Sequence, residues 1–273
     1  MEMCGEFKPV SFTPYSDEMR GGWRFKNEMT PENNSQFILP IYFNLGATFL
    51  YALTGALVAI RRRYDIIGLF VLAAVSGVGG GLIRDCVFIE QGPPLAMRDQ
   101  RYLYAVIAGC LAAALFSHRM DRLQKGFLLA DALGLGAFAV VGVSRALSVG
   151  IPALSAVTVG VINAAGGGLL RDVLVREEPL LFKPGQFYVL AALLGAGLFT
   201  VLVARFARPV ESSGLLAVAI TFVFRLLAIT FNWKTASVGK RLIPPEPEPK
   251  TPTASQPPLE NGQPPSDGNE NKK

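Results

Sequence analysis

The sequence predicts an all-α integral membrane protein: seven transmembrane helices, built as two inverted three-helix repeats followed by a seventh helix. Three observations carry this. The composition is 51% hydrophobic and only 17% charged, against about 25% charged in an ordinary soluble domain. The apolar residues gather into long runs separated by short basic loops. Finally, the heptapeptide at 79–85 returns almost unchanged at 166–172, an offset of 87 residues.

The charges define the borders. Residues 1–37 carry 4 Lys/Arg and 6 Asp/Glu, residues 244–273 carry 3 and 5, and the middle, 38–243, keeps 19 basic and 10 acidic residues. This excludes a soluble α/β enzyme, a disordered chain and a disulfide scaffold. The pI of about 9.2 does not indicate nucleic acid, because the basic residues lie in loops between apolar runs and form no aromatic-interleaved patch. Cys4, Cys86 and Cys110 have no metal-binding spacing and are odd in number. His118 is the sole histidine and sits beside Arg119. No nucleophile triad, metal cluster or phosphate loop is legible, so no catalytic residue, metal or cofactor is expected, and GVGGG lacks the Lys-Ser/Thr of a P-loop.

A spanning helix needs about 20 mostly apolar residues. Seven runs qualify or nearly so: 38–60, 66–89, 102–117, 126–147, 153–175, 187–204 and 213–231, the third being short. Residues 1–37 form a polar arm without the apolar stretch of a signal peptide, so the first run is expected to act as its own insertion signal. The tail 234–273 is rich in proline and poor in apolar residues, and is expected to be disordered. Arg61-Arg62-Arg63 follow the first run, and Arg119, Arg122 and Lys125 follow the third. Short loops dense in Lys and Arg stay in the cytoplasm, which predicts an N-terminus outside and a C-terminus inside.

The repeat organises the rest. Gly79-Gly80-Gly81-Leu82-Ile83-Arg84-Asp85 corresponds to Gly166-Gly167-Gly168-Leu169-Leu170-Arg171-Asp172. The same register pairs Gly55 with Gly142, Ala52 with Ala139, and Asn44 with Asp131. Residues 38–122 are therefore expected to repeat as 123–208, with 209–233 left over as the seventh helix. A three-span unit repeated in tandem reverses its orientation in the bilayer, an arrangement common in transporters whose site lies at the repeat interface.

Two readings of the glycine triplets stand. They are kinks or breaks that line an interior space, or they let two helices pack closely. Intramembrane charges normally face the bundle interior and pair. Adjacent helical residues point in different directions, so the expected partners lie across the pseudo-twofold axis, Arg84 with Asp172 and Arg171 with Asp85, or either arginine with Asp131. The alternative is that all four charges face lipid headgroups. Asn44, Asp131, Ser76 and Asn163 are the candidate polar residues of a path; Thr54, Ser144, Thr158 and Arg225 are further polar residues inside the apolar runs.

The stretch 38–206 resembles the bacterial glycine-transporter-domain family, which is related to the trimeric intracellular cation channels. The resemblance rests on LGATFLYALTGALVAIRRRYDIIG, GGGLIRD, LADALGLGAFAVVG and GGGLLRDVLVREEPLLF. It implies seven helices, the second and fifth kinked at Gly79, Gly80, Gly81 and Gly166, Gly167, Gly168 as pore hinges. It also implies a permeation path in each protomer and, by its channel relatives, a homotrimer that passes potassium. Asn44 stands where the family usually has an acidic residue, and the arm and tail lie outside the family core. The expected function is a potassium-permeable cation channel in the plasma (inner) membrane rather than the endoplasmic reticulum. The alternatives are a transporter of glycine or a similar small zwitterion, and a non-conducting membrane scaffold. The expected partners are the lipid bilayer and further copies of the chain, with no nucleic acid and no enzymatic activity.

Overall fold

Apolar side chains surround almost every helix of the chain, because both the packed interior and the lipid-facing surface must be apolar. The computed structural model describes residues 36–89, 92–116, 120–182, 187–231 and 233, with the backbone alone at 116 and 120–124. The polar arm up to residue 35, the proline-rich tail, Cys4, Glu90, His118 and Arg119 lie outside the described residues.

The described elements are helices: α1 (Ile41–Arg61), α2 (Ile66–Ile83) continuing into a π-helix (Arg84–Ile89), the short α3 (Leu95–Arg98), α4 (Arg101–Phe116), α5 (Met120–Ser148), α6 (Ala153–Leu174), α7 (Tyr188–Thr200) continuing into a π-helical turn (Val201–Arg205), and α8 (Val210–Thr230). Six of them, among the described residues, are long and apolar enough to cross a membrane; α4 is apolar but shorter. The helix ends fall close to the limits expected from the apolar runs, with one exception. α5 begins at Met120, so Arg122 and Lys125 belong to a helix rather than to a loop, and the expected unit boundary at 122/123 falls inside that helix. Helix propensity over Arg-Leu-Gln-Lys carries the turn past the apolar limit. The expected polar arm also ends too late: Phe37 is buried in the core, and its carbonyl accepts a hydrogen bond from Ser144.

The helix termini follow local chemistry. Asp65 caps α2 by accepting from the Gly68 N–H at 2.8 Å. Pro40, Pro152 and Pro209 precede α1, α6 and α8 with extended ψ, positions where a missing N–H costs nothing. α1 and α5 close in the same way. Arg63 (φ 57°) and Gly150 (φ 85°) are left-handed, and the N–H groups of Tyr64 and Ile151 return to the carbonyls of Ala59 and Ala146, each at 3.0 Å. This is the left-handed terminal turn that satisfies the last carbonyls of a helix.

α1 and α5 lie at the centre. α1 packs on α2, α4 and α5; α5 packs on α6, α7 and α8; and α2 lies against α6. The larger core cluster joins Tyr51 of α1, Leu135, Phe138 and Val141 of α5, Val159 of α6 and Phe199 of α7. A smaller one joins α1, α2 and α4 around Leu57 and Val106.

Both glycine triplets stay α-helical: α2 runs through Gly79–Gly81 to Ile83, and α6 runs through Gly166–Gly168 to Leu174. The expected break at the glycines is therefore absent. The irregularity in α2 comes after them, where the helix widens into the π-helix that carries Arg84 and Asp85.

Candidate functional site: two buried charge clusters and a glycine crossing

The triplets are the place where α2 and α6 touch backbone to backbone. A methyl group at Gly80 would meet the Asn163 carbonyl oxygen, and one at Gly167 would meet the Ser76 carbonyl oxygen. A methyl at Gly166 would stand 3.2 Å from the Gly80 Cα. Small residues give TM helices this approach, and dispersion across it then supplies the attraction. Of the two open readings, close packing describes the geometry.

On either side of this crossing lies a buried arginine. Arg84 Nε donates to Asp85 Oδ1 at 2.7 Å, and Arg171 Nε donates to Asp172 Oδ1 at 2.8 Å. Each arginine thus pairs with the aspartate that follows it, not with the aspartate of the other repeat. The cross-axis pairing fails because an arginine is long enough to fold back on its neighbour, which frees the remaining N–H groups to point elsewhere. Each aspartate also ties down the loop beyond its helix: Asp85 Oδ2 accepts from the Leu95 N–H at 3.0 Å and Asp172 Oδ2 from the Leu180 N–H at 3.1 Å. All four side chains are buried, so none of them faces headgroups.

Arg171 is the hub of the larger cluster. Its NH1 group donates to the Thr54 hydroxyl at 2.9 Å and lies 3.5 Å from Asp131 Oδ1. Thr54 is itself 3.5 Å from Ser76 Oγ. The guanidinium stacks over the Phe127 ring, with its carbon 4.8 Å from the centroid, a favourable contact for a desolvated cation. Beside it, Tyr51 donates to the Ala164 carbonyl at 2.7 Å and meets the Tyr188 hydroxyl at 2.9 Å, while Arg225 lies over the Tyr188 ring at 4.8 Å. Asp131 is 1% exposed, and neither of its oxygens accepts a hydrogen bond among the described residues. An ionised carboxylate in such a place is expensive unless charges or a bound cation compensate it.

The expected path residues therefore divide. Ser76 and Asp131 join one cluster through Thr54 and Arg171. Asn163 lies beside the helix crossing and donates to the Phe138 carbonyl at 2.6 Å, its own oxygen accepting no hydrogen bond among the described residues. Asn44 is apart from them, on a cavity between α1, α4 and α5. Tyr51 and Tyr188 were not among the expected site residues. The available signal was that a tyrosine deep in an apolar run needs a partner for its hydroxyl. No group of His, Cys, Asp and Glu suited to a metal is present among the described residues.

Helices of this length with an apolar exterior, and with the charges inside them buried in the bundle, define an integral, multi-pass membrane protein. The profile of the family described as "Glycine transporter" matches the chain twice, at residues 41–118 and 128–204, and the chain belongs to that family. It is 38% identical over 157 residues to a UPF0126 membrane protein of Deinococcus radiodurans, covering 57% of this chain and 73% of the relative. It is 32% identical over 198 residues to the UPF0126 inner membrane protein YadS of Escherichia coli K12, covering 72% and 95%. Among solved structures it is similar to the TRIC trimeric intracellular cation channel orthologue from Rhodobacter sphaeroides. The TM-score is 0.66 at 36% identity, over 70% of this chain and 97% of that one. A TRIC cation channel studied for its conductance gives a TM-score of 0.63 at 31% identity, over 73% and 97%.

Proposed function

We propose that the chain is a membrane cation channel of the TRIC type, permeable to potassium, with a path inside each protomer of a homotrimer. The observation that carries this reading is Asp131, a buried carboxylate that accepts no hydrogen bond among the described residues, set among helices that are similar to solved cation channels. A dehydrated monovalent cation passing Asp131 would be attracted by its charge, while Arg171 and Arg225 keep that attraction weak enough for release. In this reading α4 is a seventh span, and residues 38–122 and 123–208 form inverted repeats, with the unit boundary shifted to the start of α5. The double family match, whose two starts are also 87 residues apart, supports the repeat. The α2–α6 glycine crossing is the proposed pivot about which the path opens. The protein lies in the plasma membrane, in keeping with the inner-membrane relative, and the basic loop after the first span favours an N-terminus outside and a C-terminus in the cytoplasm.

The family description favours a second reading, transport of glycine or a similar zwitterion, for which a buried Arg–Asp cluster offers both charges. Reconstitution of the purified chain into liposomes separates the two. Unitary potassium currents that fall at least threefold in Asp131→Asn are expected of the channel. Saturable glycine uptake without unitary currents would replace that reading with the second.

A further inference from the structure

The Phe127 ring of α5 touches two arginines in opposite surroundings. The guanidinium carbon of Arg171 lies 4.8 Å from its centroid and that of Arg61 lies 5.3 Å away. Arg171 is fully buried, Phe127 is half-buried, and Arg61, in the last turn of α1, is exposed. The ring therefore forms the layer between the buried Arg171 cluster and the end of the bundle where Arg61-Arg62-Arg63 emerge.

Helical spacing puts this layer directly outside the polar groups. Phe127 precedes Asp131 by one turn of α5, and Val58 follows Thr54 by one turn of α1, so each shares a face with its polar neighbour. Val58 of α1, Leu69 and Leu72 of α2, and Val175 just beyond α6 pack together with Phe127 as an apolar collar. Arg62 pairs with Glu177, which ties the end of α1 to the segment that supplies Val175. Behind the collar, Arg171 NH1 reaches the Thr54 hydroxyl, while Arg171 NH2 and both Asp131 oxygens make no hydrogen bond among the described residues.

Polar atoms of this kind gain hydrogen bonds as soon as water or a solute reaches them, whereas an apolar constriction resists wetting and gates a path by doing so. We propose that Phe127 is a gate. Held by Arg61 and Arg171, its ring closes the passage from the Arg61 end to Asp131, and the passage opens when the ring leaves Arg61. The face of an aromatic ring attracts a cation only weakly at an exposed site, which biases the ring toward closure without locking it. The gate rests on the reading of the Asp131 cluster as part of a solute path, so its first test reads access rather than flux.

The full chain, with Cys4, Cys86 and Cys110 replaced by serine, receives the reporter Thr54→Cys and is purified in detergent. Its rate of modification by a methanethiosulfonate bearing a trimethylammonium group is measured alone and with Phe127→Ala, Arg61→Gln or Arg61→Lys. Modification should be at least tenfold faster with Phe127→Ala and at least threefold faster with Arg61→Gln. It should be unchanged with Arg61→Lys, whose ammonium can still sit over the ring. A second reporter, Val143→Cys, buried in the other half of α5, should stay protected throughout. Equal rates at the first reporter in all backgrounds, or equal acceleration at both reporters, overturns the gate. Arg61 is exposed, so Arg61→Gln keeps the test decisive if Phe127→Ala does not fold. In liposomes, Phe127→Ala should also raise potassium flux at least threefold. Faster modification with no potassium current in any variant upholds the gate and overturns the channel reading; potassium current with unchanged modification does the reverse.

Discussion

A single methyl group distinguishes the glycines of this protein from one another. Gly80 and Gly167 have a carbonyl oxygen of the opposing helix where a Cβ would go, whereas Gly46 has nothing within 4 Å. Gly80→Ala is therefore expected to lower stability by about 1–3 kcal/mol through overpacking, and Gly46→Ala to leave it unchanged or raise it by less than about 1 kcal/mol; melting in detergent reads both. The arginines permit an equally direct test. Removing one member of a buried ion pair costs about 3–5 kcal/mol, so Asp172→Asn and Asp85→Asn should each be strongly destabilising. A double-mutant cycle should find Asp172 coupled to Arg171, and Asp85 to Arg84, with no coupling between the two clusters; coupling of Arg84 to Asp172 would contradict the geometry. Of the pairings open in the sequence, Arg171 with Asp131 is present at 3.5 Å, the cross-axis pairs are not, and the pairs within Arg84-Asp85 and Arg171-Asp172 were missed. The rule that adjacent helical residues diverge holds for the Cα–Cβ directions, and the length of an arginine side chain overrides it.

At the scale of helices, the apolar runs located nearly every long element, because lipid imposes one composition over a fixed length. They could not reveal α3, whose Leu-Ala-Met-Arg is too short to show a period. Nor could they reveal the π-helix at Arg84–Ile89, which uses the same residues as an α-helix and depends on what they touch. The glycine triplets remain helical for a related reason: low helix propensity is a weak prior, and packing of α2 on α6 overrides it. Helix ends obey more local rules. Asp65→Ala should cost about 1 kcal/mol by removing the cap of α2, and Asp65→Asn should restore most of it, again by melting in detergent. Asp65→Asn as damaging as Asp65→Ala would show that the charge, rather than the acceptor to Gly68, matters there.

For the molecule as a whole, the exposed aliphatic surface invites both lipid and further copies of the chain. Leu103, Ile107, Leu111 and Leu115 of α4 and Leu215, Leu216 and Val223 of α8 all lie on the outside of the protomer. The proposed homotrimer predicts a threefold mass in native mass spectrometry from mild detergent, and monomers alone would refute it. The proposed inverted repeat predicts that single cysteines at positions 64 and 151, which follow the matched terminal turns of α1 and α5, react with an impermeant reagent from opposite sides of the membrane. The repeat was legible because the glycines and charges recur in register. The difference in charge between its halves was legible as Asn44 against Asp131.

The α2–α6 crossing also orders the birth of the protein. When α2 leaves the ribosome, the bare backbone of Gly79–Gly81 has no partner, since the helix that covers it lies in the other half of the sequence. Gly166–Gly168 arrive a full repeat later, and until then the first half must wait in the bilayer with its glycine face against lipid. A nascent chain halted at residue 118 should therefore insert yet remain open to proteases, gaining protection only once synthesis has passed the end of α6.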